Sequence, residues 1–407
     1  MVIIIGAGIS GLTAALHVKK PYLILEKEDH IGGLSTQYFS GEYWFDYGGH
    51  YFHFKDKAEI KTFMEGFARF SEYRRKSLVY LLDRFIPFPI QSHLSFLPGP
   101  LKKKILAEIL GSPGQGGSSL GQHLQNNFGQ SLYELFFKPF LSKYYGRDPG
   151  ELAANMDKGS IPVPDKAGIV AGAKGQRFSG LGYNPHFFYP THGLKQFIES
   201  YAAPVRDRVR LDTEVLAIDI DHKQVRTNGG IFPYSRLIST MPLNLLLDRI
   251  EPNGAFPPSR HLQHISTLVV NVVLRQKRKR FHWVYLPEKE FPFYRVGFYP
   301  TGGTVKGYLE KTVTDPAAAS SPGLLQEIVF TLHRLGLIEG KEEILHYSPR
   351  VIPVSYIVFD HQWPVIVPPL LDSLKRHAIY SIGRYGAWDY TSMSDDVQSA
   401  RAVARDI

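Results

Sequence analysis

The opening stretch constrains the fold more than any other. Val2 to Ile5 are all apolar, as in a strand buried on both faces, and they run straight into Gly6-Ala7-Gly8-Ile9-Ser10-Gly11. Leu12 to Lys19 then carries apolar residues at helical spacing until Pro21, and Tyr22 to Leu25 is a second short apolar run closed by Glu26. This is the start of a parallel βαβ unit. Gly6 permits the tight turn, Gly8 lets a pyrophosphate approach the backbone, and Gly11 lets the helix pack on the strand. Phosphates there meet free N–H groups at the helix N-terminus, where the dipole is positive. Gly6, Gly8, Ser10 and Gly11 are therefore cofactor-binding candidates. Glu26 follows Gly6 by twenty residues. A carboxylate at that point accepts two hydrogen bonds from a ribose diol and repels a 2′-phosphate, which favours FAD or NAD over NADP.

The next residues separate FAD from NAD. Gly32-Gly33 and Asp46-Tyr47-Gly48-Gly49-His50 are two further glycine turns that let backbone approach a long cofactor. The arrangement Glu26, Gly32-Gly33, Asp46 to His50 resembles the flavin amine oxidase superfamily, which includes protoporphyrinogen oxidases, phytoene desaturases and UDP-galactopyranose mutases. The resemblance implies non-covalent FAD bordered by Gly32, Gly33, Gly48 and Gly49, with His50 near the reactive nitrogen of the flavin. It also implies that the backbone of Val215 meets adenine. Ser381-Ile382-Gly383-Arg384, followed by the helix start Met393 to Asp396, would pass the pyrophosphate and the O2 edge of the ring. A helix N-terminus at that edge stabilises negative charge, and Arg384 is the natural phosphate partner.

Two segments resemble the mutase branch, in its eukaryotic form. They are Trp283-Val-Tyr285-Leu-Pro-Glu-Lys-Glu-Phe-Pro-Phe-Tyr-Arg295 and Gly383-Arg384-Tyr-Gly-Ala-Trp-Asp-Tyr390. Carried over residue by residue, Tyr285, Arg295 and Tyr390 face a substrate diphosphate, Asn184 adds a polar contact, and His50 and Arg295 form the catalytic pair. The chemistry is coherent: arginine binds a diphosphate bidentately, and tyrosine hydroxyls add donors without an unpaired charge. The implied function is a flavoenzyme that acts on a nucleotide sugar with no net redox change. The alternative is an FAD-dependent oxidoreductase of the protoporphyrinogen oxidase or amine oxidase kind, which takes hydride from a substrate C–H.

The remaining composition bounds the partners. The net charge of +9 is compatible with anionic ligands. The densest basic run, Arg275 to Arg280, lies between two apolar runs and reads as a solvated turn, so nucleic acid is not expected. The absence of cysteine removes disulfides, thiolate metal sites and a cysteinyl-flavin link. His50 and His53 have no carboxylate-rich partner set, so no metal is expected. No run suits a transmembrane helix or a secretory leader. A cytoplasmic enzyme with a small-molecule substrate is the expectation, with peripheral membrane contact and oligomeric state left open.

The expected architecture is α/β: a discontinuous Rossmann-type FAD-binding domain (1–55, 191–250 and 370–407) with an inserted α+β substrate domain (56–190 and 251–369). Helices are expected over much of 56–76 and 101–145, irregular loops over 159–185, one strand over Val209 to Ile220, and a hairpin turn at Gly229-Gly230. Strands are expected at Leu237–Thr240, Leu268–Leu274, Phe281–Leu286, Tyr294–Tyr299 and Tyr380–Gly383, with helices in Pro322–Leu337 and over Asp395–Arg405.

Overall fold

The apolar run Val2–Ile5 forms strand β1, Ile9–His17 helix α1 and Tyr22–Leu25 strand β2. The structure, a computed structural model, describes residues 1–114, 116–154, 161–176, 185–276, 278, 281–300 and 303–407. The chain divides into two compact units. The first comprises Met1–Tyr73, Phe187–Gln263 and Gln362–Ile407, the second Arg74–His186 and His264–His361. Both are therefore discontinuous in sequence, and the chain changes unit at 73, 186, 263 and 361, where the sequence reading placed its boundaries at 55, 190, 250 and 369.

In the first unit a five-stranded parallel sheet has the order Ile379–Ser381, Arg236–Ser239, β1, β2, Val209–Arg210. Every residue of β1 is buried, as a central parallel strand requires. Helix α1 packs against the C-terminal helix Met393–Asp406. A second, four-stranded sheet holds Gly230–Pro233, Gln224–Thr227, Val215–Asp219 and Ile250–Glu251. The expected hairpin at Gly229-Gly230 joins its first two members.

The second unit is built on a seven-stranded sheet in the order Ile344–Ile357, His264–Leu274, Val305–Val313, Arg295–Phe298, Trp283–Tyr285, Ser77–Leu81, Arg84–Pro87. One face is apolar: Leu268, Val270, Val272, Val284, Val296 and Leu309 pack with Leu324, Ile328 and Leu332 of the helix Leu324–Arg334. Each such leucine or valine contributes about 1.5–3 kcal/mol by leaving water. The outer edge strand carries Pro349 and Pro353, which cannot donate to a further strand and so blunt the edge. The helical part of this unit includes Gly99–Gly111, Leu120–Leu132, a π-helical turn Tyr133–Phe137 and Lys138–Tyr145.

Three local expectations fail. Residues 56–76 are helical only over Ala58–Glu65; Phe70–Arg74 is a strand. The Phe70 ring meets Phe52, Phe54 and Phe197 edge-on, and this aromatic packing outweighs the local pattern. The single strand expected over Val209 to Ile220 is two, Val209–Arg210 and Val215–Asp219, in different sheets. Between them Asp212 and Thr213 donate their N–H groups to the carbonyls of Glu28 and Glu26 and turn the chain. Within 159–185, Lys166–Ala173 is a helix, started by the Asp165 side chain accepting from Gly168 N–H. In addition, Gly383 does not close the last strand; it opens the short helix Gly383–Gly386.

Candidate active site

The glycine turn is shaped by contacts that admit no side chain. A Cβ on Gly6 would lie 2.2 Å from Thr240 Oγ1, and one on Gly11 would lie 1.9 Å from the Gly6 carbonyl. Gly8 differs: its nearest neighbour would be the Gly32 carbonyl at 4.0 Å, so the space beside its backbone is open. Gly8 is also the N-cap of α1, and no side chain caps that helix. The first N–H groups of α1 thus face the open space without a side-chain acceptor, as an anion site requires.

Gly32, Gly33, Gly383 and Met393 gather around this turn. Gly32 forms a bridge with Gly8 and donates its N–H to the Ala7 carbonyl, and a Cβ on Gly33 would come 3.6 Å from the Gly8 Cα. Gly383 has φ +79, and its Cβ would lie 2.5 Å from Ser10 Oγ, so it lies directly against the head of α1. Ser35 Oγ donates to Met393 Sδ at 3.4 Å, which joins the Gly32-Gly33 loop to the start of the C-terminal helix. That helix is capped by a reciprocal pair, Ser392 and Asp395.

Glu26 is buried, and its carboxylate accepts from Ala7 N–H at 2.7 Å and from Glu28 N–H at 3.0 Å. Each oxygen keeps a lone pair for a further donor, as a ribose diol demands. The chain from Arg210 to Thr213 runs alongside Glu26, hydrogen-bonded through backbone, and delivers Val215 two residues later. The Val215 carbonyl accepts from Arg249 Nε at 3.2 Å. Gly48 has φ +152, and its carbonyl accepts from the His50 N–H at 2.9 Å; His50 itself is half-buried. The neighbouring Asp46 is buried and accepts from the Tyr189 hydroxyl and from Gln37 Nε2, which fixes the strand leading into that turn.

Arg384 donates to the Thr391 carbonyl at 3.1 Å, and its guanidinium lies 4.3 Å from the centre of the Tyr390 ring. Tyr390 is therefore held by a cation–π contact in the same loop. Asp396 accepts from the Thr391 hydroxyl at 2.7 Å. Burial pushes its carboxyl up to about 6, against the Thr391 hydroxyl and the Arg384 charge, which pull it down.

The remaining candidates belong to the second unit. Tyr285 and Arg295 face each other across paired strands, and Arg295 in turn pairs with Glu310 on the next strand. This row, continued through Val269 to Arg350, lies on the sheet face opposite the apolar one. Arg295 Nε donates to Glu310 Oε2 at 2.6 Å, and a second guanidinium nitrogen reaches the Tyr356 hydroxyl at 3.3 Å. Burial raises the Glu310 carboxyl, and Arg295 pulls it back down. The Tyr285 ring is set by Phe88 and Phe140. Asn184 lies outside the described residues.

Glu310 was not singled out in the sequence, yet alternation in Val305–Val313 places Tyr308 and Glu310 on one face. Among the described residues no cluster of three or more His, Asp or Glu side chains is placed to hold a metal, and no helix is long and apolar enough to cross a membrane.

Comparison with known proteins extends the geometry. A family model described as flavin-containing amine oxidoreductase matches residues 9–407. The chain belongs to this family. As a flavin amine oxidoreductase it is an FAD-dependent enzyme, and its site residues fit FAD: open backbone at Gly8, uncapped N–H groups at α1, and a buried carboxylate at Glu26 with acceptor capacity to spare. Among family relatives, the chain is 26% identical over 176 residues to a Klebsiella pneumoniae protein named as a probable UDP-galactopyranose mutase, covering 40% of this chain and 45% of that one. It is 29% identical over 166 residues to UDP-galactopyranose mutase of Mycoplasma genitalium, covering 36% and 39%. The matches thus span less than half the length of these two relatives. A crystal structure of reduced UDP-galactopyranose mutase has the same fold, with a TM-score of 0.89 and 22% identity over 99% of this chain and 94% of that one.

Proposed function

We propose that this flavin amine oxidoreductase acts on a nucleotide sugar in the manner of the UDP-galactopyranose mutases. The observation that carries the reading is the donor-rich row Tyr285–Arg295 on the sheet face opposite the apolar one, with Tyr356 joined to it. A diphosphate needs fixed cations and neutral donors, whereas an oxidase acting on an unactivated C–H needs an apolar wall. The mutase names of the two curated relatives point the same way.

In this reading the α1 amides from Ile9 to Gly11 hold the pyrophosphate of FAD, Glu26 its ribose, and the Val215 backbone its adenine. Gly32, Gly33, Gly48 and Gly49 let the backbone lie along the cofactor. Arg384 and the helix start at Met393 supply positive potential, and His50 lies toward the ring. When bound, FAD supplies an electron-rich ring nitrogen in its reduced form and a hydride acceptor in its oxidised form. Arg295 and Tyr285 would bind and orient the diphosphate. Glu310 holds the Arg295 guanidinium in one plane. The cysteine-free composition suits a cytoplasmic setting.

The test is a titration of the purified, dithionite-reduced holoenzyme with UDP and UDP-hexoses. Saturable binding that is tighter in the reduced than in the oxidised enzyme is expected. No binding in either state, with bleaching of the oxidised flavin by a reduced porphyrin or an amine, would replace this reading with the oxidoreductase one. The family description and the half-buried aromatic run Phe140, Tyr144, Tyr285 favour that second reading.

A further inference from the structure

Lys143 is a lysine whose ammonium makes no carboxylate ion pair within 4 Å among the described residues; three backbone carbonyls satisfy it instead. It lies in the helix Lys138–Tyr145 and donates to the carbonyls of Leu286 at 2.8 Å, Glu288 at 2.7 Å and Phe291 at 2.8 Å. An ammonium has three donors, so its hydrogen-bonding capacity is filled by one short stretch of chain. That stretch is the connection between Trp283–Tyr285 and Arg295–Phe298, the strands that carry Tyr285 and Arg295. Burial pushes the ammonium down to about 8, while Glu288 and Glu290 pull it back up.

The apolar side chains of this connection, Leu286, Phe291 and Phe293, are buried in the core, and Lys143 supplies the polar tie that joins its backbone to the helix. The connection closes on itself through Phe291 N–H to the Glu288 carbonyl at 3.2 Å and Leu286 N–H to the Tyr294 carbonyl at 2.9 Å. Its outer ties, Arg334 to Glu290 and Leu82 N–H to the Glu288 carboxylate, are exposed. Exposed pairs of this kind contribute little. The helix end that presents Lys143 is itself fixed to the sheet, since Thr312 Oγ1 donates to the Tyr144 carbonyl at 2.6 Å.

We propose that Lys143 is a positioning residue of the diphosphate site: its ammonium fastens the 286–291 connection to the helix and thereby sets Tyr285 and Arg295 in the geometry that binds substrate. The proposal rests on the mutase reading for its ligand, but the clamp itself does not need that reading. An uncharged side chain leaves the buried Leu286 and Phe291 carbonyls without the Lys143 donor and the Glu288 carbonyl with the Phe291 N–H alone, and an arginine fork reaches at most part of the set.

The test compares wild-type holoenzyme with Lys143→Met, Lys143→Arg and Ile105→Ala. The last truncates a buried side chain of the helix Gly99–Gly111, outside the core that holds the connection, and serves as a control of similar destabilisation. Two readouts are taken: amide hydrogen exchange over 286–294, and UDP affinity of the reduced enzyme. In Lys143→Met exchange over this segment is expected to quicken at least tenfold and UDP affinity to fall about tenfold, with FAD per chain unchanged. Lys143→Arg is expected to lie between it and wild type, and Ile105→Ala to move neither readout. If Lys143→Met does not fold, Lys143→Arg carries both measurements against the same control.

Wild-type exchange in the variant, or a loosened segment with undiminished UDP binding, overturns the proposal. So does equal loss of affinity in Ile105→Ala. Should wild-type enzyme bind no UDP, the mutase reading fails, and the exchange result alone decides whether the clamp exists.

Discussion

Arg295 and Glu310 illustrate how a site residue is constrained by its partner. Their side chains are 18% and 5% exposed, so removing one leaves a buried charge without compensation. Arg295→Ala is expected to lower unfolding free energy by roughly 3–5 kcal/mol in urea titrations and to abolish UDP binding, with FAD retained in the folded fraction. The double variant Arg295→Met/Glu310→Leu is expected to recover most of the stability and none of the binding; a double variant as unstable as the single would show that the pair is not the cause. Glu26 gives a second case. Glu26→Gln places an amide NH2 against the N–H of Ala7 or of Glu28, since both oxygens are accepting. FAD retention after dialysis, read from the flavin-to-protein absorbance ratio, is expected to fall at least tenfold. Glu26 was legible in the sequence because its spacing from Gly6 is set locally by one helix and one strand. Glu310 and Lys143 were not, because Glu310 meets Arg295 only through the register of paired strands and the partners of Lys143 lie 143 to 148 residues away in the chain.

Helix α1 supplies the clearest test at the level of an element. Gly11→Ala drives a methyl to within 1.9 Å of the Gly6 carbonyl and forces strand and helix apart, so little folded protein is expected. Gly8→Ala meets nothing nearer than 4.0 Å and lies at φ −74, so the chain is expected to fold with normal circular dichroism yet bind FAD weakly. Equal FAD affinity in Gly8→Ala would mean that the pyrophosphate does not lie against this turn. A pH effect belongs to the start of the long edge strand. Arg278, the Glu339 N–H and Gln276 hold the Glu343 carboxyl down to about 2 from its ordinary 4.5. The stabilisation is complete above about 4.5 and is lost as pH falls through about 2. Glu343→Gln is expected to show a shallower fall in Tm between these pH values than wild type. Two of the elements misread in the sequence depend on distant segments: the split after Val209–Arg210 is decided by backbone bonds to Glu26 and Glu28, and the strand Phe70–Arg74 by rings from elsewhere in the chain; the helix Lys166–Ala173 instead starts on a local cap, Asp165.

Across the whole molecule, all the FAD candidates fall in the first unit, although they come from three separate stretches of chain. FAD should therefore hold these stretches together. At a hundredfold excess over Kd a ligand adds about 2.7 kcal/mol, and removing FAD is expected to lower Tm by roughly 5 °C, reversed on reconstitution. An unchanged melting curve would place the cofactor elsewhere. By itself the sequence determined the βαβ start, the carboxylate at the end of its second strand, the glycine turns and the FAD class, because each depends on spacing within one local unit or on what a missing side chain permits. The tertiary structure alone decided that Gly383 lies against Ser10, that Arg295 shares its charge with Glu310, and that Lys143 grips the connection behind Tyr285. Those contacts are set by strand register or join segments far apart in the chain, and no local period or propensity encodes which groups will meet.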